Sequence, residues 1–332
     1  MLQRFRALLL WAASACTSLA AAAQPFSFAL WGDMPYAKND DSASTHKVIE
    51  SINRSDAHFS IYDGDIKDGS SSCTDAIYTQ AVTMFNSLKR PAVYVPGDNE
   101  WTDCHRTNNG GYNALERLDH LRQVLFSQPR SFGQKTMALA QQGQPGEKFV
   151  ENTRFVHGGV MFVNVNMPGS NNNLVKSEKD CAKKSARVWA DCEAGNAEYL
   201  ERDAANIEWL RTAFTIARKM EHAGLVLTFQ GDPGFDVPET EDADESKQPR
   251  FEGYRAFMNA LVHETERFKG QVLLVHGDTH FFKMDKPLYS PSKVLPNLTR
   301  LQTFGSPVNH WVKVTVNLKS PEVFTIRPVM VP

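Results

Sequence analysis

Several features that would quickly assign a function are missing from this 332-residue sequence. Neither sign of charge dominates, since 36 lysines and arginines stand against 38 aspartates and glutamates, which gives a net charge of -2. Proteins that bind a nucleic-acid duplex or an anionic membrane surface usually have a clear basic excess, so the balance argues against both partners. The sequence also lacks a Gly-x-Ser-x-Gly elbow and a glycine-rich phosphate loop ending in lysine, which excludes two common active-site types.

Long apolar runs are missing after the first two dozen residues, so we expect no transmembrane segment in the rest of the chain. At the start, a basic region at Arg4 and Arg6 precedes an apolar stretch that ends in alanines at 21–23. This order predicts a signal peptide over residues 1–23 and a mature chain over 24–332, exported to the periplasm or secreted. A membrane anchor is the alternative, but the apolar stretch is short for a bilayer.

Cysteines are few, and four of the five lie in the predicted mature chain, at Cys73, Cys104, Cys181 and Cys192. An even number in an exported chain predicts disulfide bonds. Cys181 and Cys192 are close together in one polar segment, which favours a bond between them and leaves Cys73 to pair with Cys104. A zinc site is the rival interpretation, but no Cys-x-x-Cys spacing supports it.

Apolar runs alternate with amphipathic stretches along the mature sequence, a pattern that predicts an α/β fold with a buried sheet. The predicted strands are 26–31, 58–62, 91–95, 225–229 and 272–275, with a hairpin over 154–166 and further strands from 301 onward. The predicted helices are 42–53, 76–88, 112–126, 198–222 and 251–268. We expect insertions over 128–150 and 169–197, and a solvated acidic loop over 238–248.

Four predicted strands each run into a Gly-Asp pair, and the aspartates are Asp33, Asp65, Asp98 and Asp278. One such pair after a strand is an ordinary turn. Four of them would share the edge where open α/β sheets bind ligands. Carboxylates that converge repel one another unless a cation neutralises them, so the pattern predicts a divalent-metal site.

With these residues, the sequence resembles the calcineurin-like metallophosphoesterases, whose motifs have counterparts here in the same order between residues 26 and 282. The counterparts are Asp33-Met34-Pro35, Gly64-Asp65-Ile66-Lys67-Asp68, Gly97-Asp98-Asn99-Glu100, Gln230-Gly231-Asp232 and Gly277-Asp278-Thr279-His280. The resemblance implies a two-sheet sandwich flanked by helices, with a metal site at the carboxyl ends of the strands. It also implies hydrolysis of a small-molecule, lipid or nucleotide phosphate ester by a metal-bridging hydroxide.

Two divalent metal ions are implied by the same resemblance. Asp33, Asp65 and His280 would hold the first ion, and Asp65 would bridge to a second ion held by Asp98, Asp278 and Gln230. Oxygen ligands replace several of the family's imidazoles, which favours Mn, Mg or Ca. Because His280 supplies an imidazole nitrogen, Fe or Zn would also suit the first metal position.

The departures from the family pattern concern the catalytic groups. Pro35 stands where the family has a ligand histidine, and Asn99 stands where it has the histidine credited with assisting the leaving group. Asp68 matches the acid that supports that histidine. His105 and His310 are candidate replacement acids, although each also reads as a surface or structural histidine. A non-catalytic protein that binds a metal or a phosphate ligand on the same fold is therefore the alternative.

Two further residues lie beside the motifs. Arg106 is placed to contact a substrate phosphate, because a guanidinium binds phosphate oxygens in pairs, but an exposed arginine on a stapled loop is the plainer interpretation. Tyr36 follows the first motif and either flanks the substrate or packs in the core.

Overall fold

The structure is a computed structural model that describes residues 24–235, 247–290 and 293–332. The predicted signal peptide and most of the predicted acidic loop lie outside the described residues. Two β-sheets pack against each other and helices cover their outer faces, which confirms the predicted α/β sandwich.

Strands and helices alternate along most of the chain. The strands are β1 (Phe26–Trp31), β2 (Ser60–Tyr62), β3 (Ala92–Tyr94), β4 (Ala140–Gln141), β5 (Thr153–His157), β6 (Val160–Asn164), β7 (Gly224–Thr228), β8 (Gln271–His276), β9 (Lys283–Asp285), β10 (Leu288–Ser290), β11 (Lys293–Val294), β12 (Leu298–Gln302), β13 (Trp311–Val316) and β14 (Phe324–Val329). The helices are α1 (Ser42–Arg54), α2 (Asp75–Asn86), α3 (Ala114–Leu125), α4 (Gly169–Asn172), α5 (Glu178–Cys181), α6 (Trp189–Lys219) and α7 (Arg255–Glu266), with 3-10 turns at Ala37–Asn39, Thr102–His105, Thr107–Asn109 and Pro249–Tyr254.

The order of strands decides which loops meet. The first sheet runs β14-β13-β1-β2-β3, and β1, β2 and β3 are parallel. The second sheet runs β4-β5-β6-β7-β8-β12-β9, and β6, β7, β8 and β12 are parallel. The loops that follow parallel strands leave from the same edge of a sheet, which is where ligands bind in α/β folds.

Three apolar layers hold the sandwich together. The middle layer lies between the two sheets, where the Phe28 ring meets the Phe162 ring edge-on with 5.2 Å between centroids. An outer layer packs α1, α2 and α3 on the first sheet, and Val48 is among its fully buried residues. The other outer layer packs α6 and α7 on the second sheet through Phe214 and Leu261. Since β1 is covered on both faces, its sequence is apolar almost throughout.

Parts of the two predicted insertions form helices and strands. Helix α6 begins at Trp189, nine residues before its predicted start, because the Asp191 carboxylate accepts the backbone N–H of Val188 at 3.0 Å and closes the first turn. The segment predicted as a loop over 128–150 contains β4, which pairs with β5 just beyond it.

Both predicted disulfide bonds are present, one joining Cys73 to Cys104 and the other joining Cys181 to Cys192. Within the described residues, none of the helices combines the length and the apolar content needed to cross a membrane.

Candidate functional site

The predicted metal ligands meet where the carboxyl ends of both sheets face each other. Asp33, Asp65 and Asp98 follow β1, β2 and β3 of the first sheet, whereas Asp278 and His280 follow β8 of the second. A hydrogen bond between backbone and side chain joins loops of the two sheets here, since the Asp278 N–H donates to the Asp33 carboxylate with 3.3 Å to Oδ2. The sandwich therefore brings together residues that are 245 positions apart in the chain.

At two of the Gly-Asp pairs, glycine is required because it makes room for a carboxylate from another loop. A Cβ atom at Gly277 would lie 2.2 Å from Asp33 Oδ2, and one at Gly97 would lie 2.1 Å from Asp65 Oδ1. Both separations are far below van der Waals contact, so any side chain at either position would displace the aspartate.

The backbone at these aspartates is strained. Asp33, Asp65, Asp278 and His280 have φ angles of 52°, 62°, 74° and 67°, in the left-handed region that residues with a side chain avoid. Each costs about 1–2 kcal/mol. Strain of this kind persists where the surroundings enforce it, and it concentrates at functional sites.

Three of the predicted ligands converge on one oxygen, the hydroxyl of Tyr36. Its Oη atom lies 3.0 Å from Asp65 Oδ2, 3.2 Å from His280 Nε2 and 3.5 Å from Asp33 Oδ1. His280 Nε2 is also 3.5 Å from Asp33 Oδ1, and its Nδ1 lies 2.7 Å from the Ser306 carbonyl oxygen, which fixes the ring. We call these four residues the first donor set.

Tyr36 decides whether the first donor set fits a cation. Within the described part of the chain, no three carboxylate, imidazole or thiolate groups are arranged to hold a metal ion by themselves. Donor atoms that share one cation at about 2.1 Å are separated by about 3.0–3.4 Å, depending on the coordination geometry. The distances from Tyr36 Oη to Asp65 and His280 lie within this range, and the distance of 3.5 Å to Asp33 lies just beyond it, so the set comes close to this geometry when the phenolic oxygen is included.

Asp98 and Asp278 form a second group, called here the carboxylate pair. A Cβ atom at Gly169, in the loop after β6, would lie 2.7 Å from Asp98 Oδ2 and 2.9 Å from Asp278 Oδ1, so both carboxylates face this glycine. Gln230 is buried beside them, but its Oε1 atom accepts the N–H of Gly169 at 2.5 Å. Its oxygen is thus already engaged by the backbone.

Asn99 and Glu100 hold Asp65 in place. The Asn99 side chain donates to Asp65 Oδ2 at 2.5 Å, and its backbone N–H donates to Asp65 Oδ1 at 3.1 Å. Glu100 is fully buried and accepts from the backbone N–H of Asp65, from Gly97 and from the Tyr94 hydroxyl. The sequence analysis gave Glu100 no role, although its place in the third motif was a signal.

Negative charge is in excess at the site. Burial raises the pKa of Asp65, and the charges of Asp98, Glu100 and Asp33 raise it further. Burial and the nearby Asp98 likewise raise the pKa of Asp278. Although burial alone would lower it, a hydrogen bond and the charge of Asp33 raise the pKa of the His280 imidazole. A bound cation would relieve this repulsion.

Asp68 has different partners from those that the resemblance implies. Its carboxylate accepts hydrogen bonds from Ser70, Ser71 and the backbone N–H of Lys38. Burial would raise its pKa, but these hydrogen bonds lower the pKa of Asp68 to about 2. With Asn99 at the family's histidine position, Asp68 stabilises its own turn instead.

The two candidate acids lie outside the cluster. The His310 ring packs edge-on against Phe304, and its Nδ1 accepts the N–H of Val331. Burial, helped by Arg187, lowers the pKa of His105 to about 3, so its ring is uncharged near neutral pH. Within the described residues, neither histidine contacts a member of the first donor set.

No family description matches the chain, and no curated protein sequence is significantly similar to it. Solved structures do align with it at low similarity. One is GAP50, the anchor in the inner membrane complex of Plasmodium, with 14% identity and a TM-score of 0.43 over 93% of this chain and 89% of that one. Another is the purple acid phosphatase PPD1 of yellow lupin (Lupinus luteus) seeds, with 10% identity and a TM-score of 0.47 over 93% and 54%.

A third is the 5'-nucleotidase of Candida albicans, with 14% identity and a TM-score of 0.41 over 92% of this chain and 51% of that one. The chain thus spans about half the length of these two enzymes. Similarity at this level does not assign a family or an activity.

Proposed function

We propose that this protein is a metal-dependent phosphoric ester hydrolase. The observation that supports it is the convergence of Asp33, Asp65 and His280 on the hydroxyl of Tyr36, beside the carboxylate pair. Tyr36, Asp33, Asp65 and Asp98 are buried, and burial together with nearby carboxylates raises the pKa of Asp65 and of Asp278, a repulsion that a cation would relieve. Oxygen-rich donor sets of this kind suit Mn, Mg or Ca, and the single imidazole also accommodates Fe or Zn.

The first donor set would hold one cation, and the carboxylate pair, together with Asp65, would hold a second. When bound, two such ions would supply charge that polarises a phosphoryl oxygen and acidifies a water molecule. The protein itself orients the ligands. Asn99 and Glu100 fix Asp65, the Ser306 carbonyl fixes His280, and the buried Lys67 ammonium group ties two motif loops by donating to the carbonyls of Asp68 and Asn99.

Because neither candidate histidine contacts the first donor set in the described part of the chain, we propose that no histidine protonates the leaving group. We therefore expect aryl phosphates, whose leaving groups have low pKa values, to react much faster than alkyl phosphates. A panel of aryl and alkyl monoesters and diesters measures this preference. Equal rates for aryl and alkyl esters would show that a proton donor exists at the site.

Metal content and hydrolysis should be measured together on the mature chain. We expect Asp33→Ala and Asp65→Ala to lose bound metal and activity, whereas Asp56→Asn, at an exposed ion pair with Lys313, should keep both. If both alanine variants kept wild-type metal content and turnover, the site assignment would be wrong.

Other residues replace the family's histidines here, as at Pro35 and Asn99. This favours a second candidate function, the binding of a metal or a phosphate without turnover. Wild-type protein that binds divalent metal but hydrolyses no ester of the panel would support it.

Export belongs to the same proposal. The two disulfide bonds support it, because such bonds persist in oxidising compartments. Mass spectrometry of the protein from a secreting host should find a mature chain that begins at residue 24, and one that retains residues 1–23 would contradict the prediction.

A further inference from the structure

A strongly basic cavity of about 480 Å³ opens beside the carboxylate pair. Its basic side chains are Arg106, Lys176, Lys183, Lys184, Arg187 and Arg250. Among the described residues of its wall, Asp103 and Asp180 are the acidic ones. We call this cavity the basic pocket. Its volume suits a small ligand and its charge favours an anion.

Ser170 connects the basic pocket to the candidate metal site. Its side chain lines the pocket and donates to Asp98 Oδ2 at 2.7 Å. Arg106 reaches toward the other side of the site, because a Cβ atom at Gly69 would lie 3.4 Å from Arg106 Nη1 and 2.8 Å from Asn99 Oδ1. Ser170 and Arg106 therefore line the basic pocket and also border residues of the candidate metal site.

The basic wall is fixed in place. Lys183, Lys184 and Arg187 lie between the two cysteines of the Cys181 disulfide. The carbonyl of Lys184 accepts the Thr107 N–H at 2.8 Å, which pins this segment to the loop after β3. A fixed backbone lowers part of the entropic cost of binding an anion between these side chains.

Two of the lysines in the pocket wall have no ion-pair partner among the residues that the structure describes. Arg106 pairs with Asp103, and Lys176 pairs with Glu252. Within the described residues, Lys183 and Lys184 make no ion pair, although both belong to the pocket wall. Clustered cations repel one another, so an anion between them would lower the energy of the folded protein.

We propose that the basic pocket binds a second anionic group of the substrate, and that phosphate is the group it suits best. This inference rests on the proposed function, because the reacting phosphate would lie at the first donor set and the carboxylate pair. It narrows the substrate class to small phosphate esters that carry a second phosphate or another oxyanion. Arginine and lysine side chains are suited to phosphate oxygens.

Inorganic pyrophosphate is the probe, and its binding is measured by isothermal titration calorimetry without any turnover. The pocket variant is Lys183→Gln/Lys184→Gln, in which both exposed ammonium groups become neutral. The matched control is Lys89→Gln/Lys135→Gln, which removes two exposed lysines outside the pocket. Asp65→Asn serves as a variant with an impaired metal site.

We expect the pocket variant to bind pyrophosphate at least about tenfold more weakly than wild type, since two charge-assisted contacts are lost. The control should bind like wild type, and Asp65→Asn should keep most of the affinity. Unchanged binding in the pocket variant, or equal weakening in the control, would overturn the proposal. Lost binding in Asp65→Asn alone would place pyrophosphate at the metal site and also overturn it.

Discussion

Replacing Tyr36 with phenylalanine removes one hydroxyl group from the centre of the first donor set. The hydroxyl oxygen lies 3.0–3.5 Å from Asp65, His280 and Asp33, where a shared cation would bring four donor atoms. Changing even a residue behind a metal ligand typically costs 10–100-fold in affinity, so loss of a direct donor should raise the dissociation constant by at least about 100-fold. That factor corresponds to about 2.7 kcal/mol.

The assay is the rise in melting temperature when a saturating concentration of Mn or Zn is added, together with calorimetric titration of the ion. Binding to the folded state alone raises stability with the ratio of ion concentration to dissociation constant. A loss of about 2.7 kcal/mol should reduce the metal-induced shift by about 4 °C for a chain of this size.

Tyr78→Phe is the matched control. Tyr78 is also buried, but its hydroxyl donates to the backbone carbonyl of Glu100 at 2.7 Å and contacts no predicted ligand. This variant should lose about 1 kcal/mol of stability and keep the full metal-induced shift. If Tyr36→Phe bound metal as tightly as wild type, or more tightly, the hydroxyl would be filling the metal position rather than completing it, and the reasoning would fail.

Three further predictions concern stability. Burial and the charge of Asp98 raise the pKa of Asp103 to about 7, so the folded state holds that proton more tightly than the unfolded state does. The metal-free protein should therefore lose stability as pH rises from about 4 through 7. A melting temperature that climbs over this pH range would contradict the prediction. Cys104→Ser opens a 31-residue loop and Cys192→Ser opens an 11-residue loop. Chain entropy therefore predicts that the free energy of unfolding, measured in urea, falls by about 3.7 and about 2.8 kcal/mol. The reverse order of the two losses would be inconsistent with this mechanism. Arg122→Ala leaves the fully buried Glu151 without its ion-pair partner and should cost about 3–5 kcal/mol by the same assay, whereas a loss below about 1 kcal/mol would mean that water replaces the guanidinium.

Much of the fold followed from the sequence because its signals are local. The buried strand β1 is apolar except at Ser27, and four predicted strands each end at a Gly-Asp pair that a short range of residues reveals. The pairing of Cys181 with Cys192 followed from their closeness in the chain. The start of α6 was not predicted because its first turns are polar and carry no apolar stripe. A disulfide and the Asp191 cap stabilise these turns instead.

The arrangement of the site depends on the tertiary structure. By itself, the sequence determined which aspartates end strands, and the shared edge of an α/β sheet made their convergence an expectation. Only the packing of two sheets decided that Tyr36 meets His280, 244 residues away, and that His310 is held elsewhere. The basic pocket, too, is formed by segments distant in the chain, which a stapled loop and the strand-end loops bring together. Such contacts depend on strand order, and no local pattern of side chains encodes strand order on its own.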